Sequence, residues 1–281
     1  MKEFVVKAED QYPLACTLFV PEEENHHKIL IVNSATGVKQ QMYFGFAQYL
    51  AQNGITVITY DYRGIGLSKP RKLNSFSATM RDWGNLDFKA LTEYVIKHFQ
   101  NYSKYLLGHS VGALILGMSP HSEIFRKVLF VATQNAYVGN LNFKTKISAY
   151  LGFGIVQPLS TKLFGYFPAH HFGLGESLPA GVGFDWRNLI LKSKSTDYLL
   201  EHSNTNISKE LTKECFVLYA DDDEWLTQKG VEALLKLSYP KLKPSYRLLT
   251  KSESEVGKIG HVNFFRSYNQ KLWEILKQEI I

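Results

Sequence analysis

Residues 104–113 read KYLLGHSVGA: a short apolar run that enters a serine bracketed by two glycines. A strand turning sharply into a helix here would lift the Ser110 hydroxyl above the carboxyl end of a parallel sheet. Gly108 and Gly112 have a steric reason to lack side chains, because such an elbow presses the strand and helix backbones together. A Gly-x-Ser-x-Gly pattern also arises by chance in a chain with 20 glycines, so its meaning rests on what surrounds it.

Working outward, the surroundings alternate. Glu3 to Ala8 and Leu14 to Val20 read as an antiparallel hairpin joined at Asp10-Gln-Tyr-Pro13. Apolar strands at Lys28–Val32, Ile55–Tyr60, Tyr105–Leu107 and Lys127–Ala132 are separated by helical spacings over Gln40 to Asn53, Arg81 to Phe99 and from Ser110. The rhythm resumes with strands at Cys215–Ala220 and Tyr246–Thr250 and helices over Gln228 to Leu237 and Arg266 to Lys277. Fully apolar strands alternating with helices predict a mostly parallel, eight-stranded sheet covered by helices on both faces.

The alternation breaks for about eighty residues after Ala132, too long for a structureless loop in a compact domain. Their glycine, proline and aromatic content, as in AYLGFGIVQPLSTKLFGYFPAHHFGLGESLPAGVGFDW, suggests short helices and turns. The expected organisation is a core formed by residues 1–132 and 211–281, with a helical cap inserted at 133–210.

Composition narrows the classes. The 281 residues are 45% hydrophobic and 14% aromatic, ample for a large core. The opening MKEFVVKAEDQY lacks the apolar stretch of a signal peptide and no run is long enough to span a bilayer, so a cytoplasmic location without a membrane span is expected. Cys16 and Cys215 stand far apart in strand-like runs and read as buried thiols rather than a disulfide or zinc framework. The net charge of +6 is scattered, with no basic helix, so nucleic-acid binding is not expected. Neither a cofactor nor a metal is implied, and the oligomeric state is left open.

A serine hydroxyl attacks a carbonyl only when a base takes its proton and an acid holds that base in the right tautomer. On a strand-turn-helix elbow the chain order is serine, acid, histidine, with the acid after a later strand. Directly behind the Cys215 strand stand Asp221, Asp222, Asp223 and Glu224, and one histidine follows them, His261, in the loop Gly257-Lys-Ile-Gly-His-Val-Asn263. His109 adjoins Ser110, but neighbours on an elbow point apart, so it is expected to pack beside the sheet or shape the pocket. His170-His171 lack an Asp, Glu or Cys at ligand spacing and read as pocket lining or exposed, while His26-His27 lie in the hydrophilic EEENHHK loop. An oxyanion needs N–H donors: Val111 at the start of the helix, and Ala35 in the small-residue loop Asn33-Ser-Ala-Thr-Gly37.

Together these residues resemble the α/β-hydrolase superfamily, specifically serine hydrolases of the serine-aminopeptidase and monoacylglycerol-lipase-like branch. Besides the elbow, Tyr60-Asp-Tyr-Arg-Gly-Ile-Gly-Leu-Ser68 matches that superfamily's D-x-R-G-x-G-x-S loop, where Asp61 and Arg63 have structural roles. Leu178-Pro-Ala-Gly-Val182 with Trp186, Asp222-Asp-Glu-Trp225 and Ile259-Gly-His-Val-Asn-Phe-Phe-Arg266 resemble a group of predicted bacterial α/β-hydrolases, so the likeness spans nearly the whole chain. It implies Ser110 as nucleophile and His261 as base. The family's G-x-x-D pattern, with Ala220 in the glycine position, selects Asp223 as the acid, with Asp222 as runner-up. The usual His-Gly of the oxyanion loop is replaced by Asn33-Ser34, so this loop is open to a different local path.

The function expected is hydrolysis of a carboxylic ester, thioester or amide through an acyl-enzyme, on a small-molecule substrate with an apolar portion. Acyl transfer on the same residues, and a non-catalytic ligand- or protein-binding module of the same fold, are the alternatives. A dehalogenase-like enzyme wants aspartate on the elbow and a dienelactone-hydrolase-like one cysteine, and Ser110 fits neither.

Overall fold

A computed structural model describes residues 1–281. Its strands are β1 (Lys2–Lys7), β2 (Pro13–Phe19), β3 (Lys28–Asn33), β4 (Ile55–Tyr60), β5 (Ser103–His109), β6 (Phe125–Val131), β7 (Tyr166–Phe167), β8 (Leu178–Pro179), β9 (Glu214–Ala220) and β10 (Lys243–Leu249). Eight of them form one sheet in the order β1-β2-β4-β3-β5-β6-β9-β10. Only the β1–β2 and β2–β4 pairings are antiparallel; every pairing from β4 through β10 is parallel. The eight-stranded, mostly parallel sheet is thus as the sequence predicts.

β4 buries all six of its residues, which requires cover on both faces of the sheet. On one side α1 (Phe44–Gln52) meets the C-terminal α10 (Trp273–Gln278), where Trp273 packs edge-on against Phe46 and donates its indole N–H to the Phe264 carbonyl. A second group is formed by α2 (Met80–Asp82), which runs through a wide π turn at Trp83–Phe88 into α3 (Lys89–His98), together with α4 (Gly112–Leu116) and α9 (Gln228–Ser238). Tyr239, just beyond α9, is buried and donates its hydroxyl proton to the Ala113 carbonyl in α4.

The D-x-R-G loop after β4 is a buried polar knot. Asp61 accepts from the Gln40 and Leu67 amides, and Arg63 bridges Asp87 and Asp10 at 2.7 Å each. These are the structural roles the sequence implies for Asp61 and Arg63.

Between β6 and β9 the chain is helical: α5 (Phe143–Leu151), a π turn (Gly152–Val156), α6 (Gln157–Phe164), the β7–β8 bridge, α7 (Ala180–Leu191) and α8 (Thr196–Glu201). Asp185 of α7 is buried and accepts from the Met80 amide and Arg81 Nε, fastening this segment to the start of α2. Val138, Leu141, Ala149, Phe153 and Ile190 form a small apolar cluster of their own.

Element ends differ from the sequence expectation for local reasons. The helix after the elbow starts at Gly112 rather than Ser110, because Ser110 has a positive φ of 54° that no right-handed helix accommodates. The closing helix over 266–277 is instead a 3-10 segment (Ser267–Leu272), kinked at Asn269, followed by α10. Gln40–Tyr43 likewise forms a 3-10 turn ahead of α1.

Candidate active site

The site is built on the elbow between β5 and α4. At φ 54° Ser110 occupies the left-handed region, a conformation costing a non-glycine residue about 1–3 kcal/mol that only its surroundings can hold. They do so on several sides: the Ser110 N–H donates to the Val131 carbonyl, and its own carbonyl accepts from the Ala113 N–H and the Thr133 hydroxyl. A Cβ at Gly108 would stand 2.8 Å from the Ala113 nitrogen, and one at Gly112 2.3 Å from the Asn33 carbonyl oxygen. Both glycines are therefore demanded by the close approach of strand to helix.

The loops after β9 and β10 bring the predicted partners to that serine. His261 Nε2 lies 3.0 Å from Ser110 Oγ, and its Nδ1 lies 2.7 Å from Asp223 Oδ2. Asp223 is buried, and its other oxygen accepts from the Trp225 amide at 3.0 Å. Asp222, the alternative acid, faces elsewhere: its two oxygens accept from the Ile259 and Gly260 amides at 2.9 and 2.8 Å, clamping the loop that carries His261.

His109 is fully buried beneath this line. Its Nε2 is 2.7 Å from the His261 carbonyl oxygen and its Nδ1 is 2.7 Å from Tyr43 Oη. A carbonyl only accepts, so Nε2 carries the proton, and the neutral ring accepts the Tyr43 O–H at Nδ1. Burial, with the charge of nearby His261 second, pushes the His109 pKa down to about 3, which keeps the ring neutral. Tyr43 Oη in turn accepts the Ala35 N–H at 3.0 Å. Neither Tyr43 nor the loop-bridging work of His109 was foreseen from sequence; the one signal was the reading of His109 as packed beside the sheet.

That last bond occupies the Ala35 amide, the donor expected from sequence. Ala35 borders the cavity above Ser110, but its amide is already committed to Tyr43, whereas the amides of Thr36 and Val111, in the same cavity wall, donate to no protein group. Asn33 accepts from the Tyr60 hydroxyl and donates to the Gly112 carbonyl, tying the loop to the elbow.

Above Ser110 opens a cavity of about 720 Å³, within the range of small-molecule sites. Met42, Leu114, Trp186, Leu189, Ile190 and Trp225 make much of its wall apolar, with Lys39 and Arg266 among the polar residues bordering it. His170 and His171 lie outside it, His170 bonded to the Ser177 hydroxyl, and His26 and His27 belong to the loop before β3.

Comparison with known proteins bears on the family. Residues 24–128 match the family model for serine aminopeptidase, S33. An acyl transferase of Shewanella woodyi is 26% identical over 242 residues, covering 83% of this chain and 70% of that protein. A soluble variant of monoglyceride lipase from Saccharomyces cerevisiae, in complex with a substrate analog, superposes with a TM-score of 0.70 at 16% identity, covering 100% of this chain and 96% of that one. An esterase from Pyrococcus furiosus does so with a TM-score of 0.61 at 13% identity, covering 99% and 89%. The sheet order and these superpositions give the chain an α/β-hydrolase fold, and its residues 24–128 are similar to the serine aminopeptidase family.

Proposed function

We propose that the protein cleaves carboxylic esters or thioesters of apolar acyl groups through an acyl-enzyme on Ser110. The observation that carries this reading is the unbroken line from Ser110 Oγ through His261 to Asp223, at 3.0 and 2.7 Å. In the first step His261 Nε2 takes the Ser110 proton as Oγ bonds to the substrate carbonyl carbon; the carbonyl π electrons move to its oxygen, which the Val111 and Thr36 amides stabilise. Collapse of this tetrahedral species expels the alcohol or thiol, which takes the proton from His261. Water, deprotonated by the same imidazole, then attacks the acyl-Ser110 ester and releases the acid. Asp223 holds the proton on Nδ1 so that Nε2 faces the serine.

The apolar cavity wall supports an acyl chain or aryl group as the buried portion, with residues 133–210 acting as a cap over it. Arg266 suits a leaving group that carries negative charge, whereas Lys39 is paired at 3.8 Å with Glu176 of the same cavity wall. A screen of p-nitrophenyl esters of graded length, paired with acyl thioesters of an anionic thiol, tests both parts. Turnover that rises with chain length and vanishes in Ser110→Ala supports the reading; wild-type turnover no greater than that of Ser110→Ala contradicts it.

A second reading has its own support in the likeness to the Shewanella woodyi acyl transferase. In that case an alcohol or amine, rather than water, clears the acyl group from Ser110. Adding glycerol or a primary alcohol to the assay separates the two, since a transferase forms the new ester faster than the free acid.

A further inference from the structure

Residues 143–164 form a continuous helical rod: α5, a π turn and α6, with right-handed backbone angles at both junctions. Pro158 explains the wide turn before it. It has no N–H to give the preceding turn, and a local π geometry absorbs the missing bond.

The rod has two faces of the same period. Ala149, Phe153, Gln157 and Thr161 are buried, the first two in the apolar cluster with Ile190, against which the cavity-wall residues Trp186 and Trp225 pack. Opposite them Phe143, Ile147, Leu151, Ile155, Leu159 and Leu163 follow one another at every fourth position, and each is between 48% and 79% exposed. An α-helix over-rotates by about 40° every four residues, which would wind such a row around the rod. The π turn, wider than an α turn, gives part of that rotation back and keeps the six on one side.

Six large apolar side chains in an exposed row need an occupant. The charge around them says which. Lys144, Lys146 and Lys162 accompany the ridge, and the segment contains no Asp or Glu. A second copy docking by twofold symmetry would bring these lysines against their own kind. No helix is long and apolar enough to cross a membrane, so a lipid contact would lie in the interface plane.

We propose that the 143–164 rod docks the protein on an anionic lipid surface, with the apolar ridge in the headgroup–acyl boundary and the lysines on the phosphates. The other side of the same rod packs against the cavity-wall residues Ile190, Trp186 and Trp225, so docking brings the cavity wall toward the phase in which an apolar substrate is dissolved. The docking itself does not depend on the chemistry at Ser110, and the test is made independent of it.

The experiment is co-sedimentation of the full-length Ser110→Ala protein with vesicles of equal parts phosphatidylcholine and phosphatidylglycerol, and with vesicles of phosphatidylcholine alone. Binding to the mixed vesicles is expected to exceed that to the neutral ones by roughly tenfold or more, and to fall by a similar factor in Leu159→Glu/Leu163→Glu. Lys144→Gln/Lys162→Gln, which leaves the apolar ridge intact, is expected to weaken binding to the mixed vesicles alone. Thermal melting of both variants should match the parent, since the substituted side chains are exposed. Absence of vesicle binding, binding indifferent to these substitutions, or a dimer that Leu159→Glu/Leu163→Glu dissociates would overturn the proposal, the last by assigning the ridge to a second copy.

Discussion

His109 Nε2 stands 2.7 Å from the main-chain oxygen of His261, so the residue beside the elbow serine holds the loop of the histidine that faces it. With Tyr43 and the Ala35 amide beyond, one hydrogen-bonded chain links the loop after β3, the elbow and the His261 loop. His109 touches neither the serine hydroxyl nor the cavity. It is a positioning residue, and replacing it should misplace the base rather than remove it.

His109→Ala is therefore expected to lower kcat by about 10- to 100-fold with KM little changed, because a base displaced by an ångström loses about that much. It should also destabilise by about 1–3 kcal/mol through the unpaired Tyr43 hydroxyl and His261 carbonyl. His109→Gln, whose amide can still donate to that carbonyl, should recover part of kcat. Steady-state kinetics and denaturant unfolding of the two variants check this; an unchanged kcat in His109→Ala would refute the positioning role.

The same burial makes stability acid-sensitive. The His109 pKa falls from 6.5 to about 3 on folding, so between those values the unfolded chain binds a proton that the native state refuses. This contribution is complete above pH 6.5 and shrinks as pH falls toward about 3, by up to about 5 kcal/mol. Unfolding free energy measured from pH 7 to 4 should decline less steeply in His109→Gln than in the wild type. Parallel profiles would mean that the ring already carries a proton in the native state.

The two neighbouring aspartates should separate cleanly. Asp223→Asn exchanges the acceptor at His261 Nδ1 for an amide and favours the wrong tautomer, so kcat should drop by about 10⁴ with the fold intact. Asp222→Asn turns an N–H donor toward the Ile259 and Gly260 amides, so its main cost should be about 1–3 kcal/mol of stability, with a smaller loss of kcat. Kinetics and melting of both variants decide, and the opposite ranking in kcat would make Asp222 the acid.

Gly112→Ala tests the elbow itself. Its methyl group would meet the Asn33 main chain at 2.3 Å, where no flexible side chain can yield. A loss of about 1–3 kcal/mol is expected, together with loss of activity beyond what unfolding accounts for, because β3 and α4 must part. Thermal melting beside activity at low temperature measures both.

The frame of the fold was legible because its strands are continuous apolar runs separated by helical spacings, a pattern that a parallel sheet imposes on sequence. The convergence of Ser110, Asp223 and His261 was legible because an elbow leaves glycines and the partners follow in a known order. What escaped has a common cause. Tyr43 and His109 meet across 66 positions, and His109 and the His261 carbonyl across 152, by bonds that leave no periodic trace. The commitment of the Ala35 amide escaped with them, although Asn33 in place of the usual histidine marked that loop as different. The π turn at Gly152–Val156 was also hidden, since Pro158 reads in sequence as a break rather than a widened turn.

Covalent labelling is the sharpest test of Ser110 as the nucleophile. The wild-type protein is incubated with a fluorophosphonate, and its peptides are mapped by mass spectrometry. A single stoichiometric adduct is expected on Ser110, lost in Ser110→Ala and strongly slowed in His261→Ala. A folded wild-type protein that takes no label, or that carries the label on another residue, would contradict it.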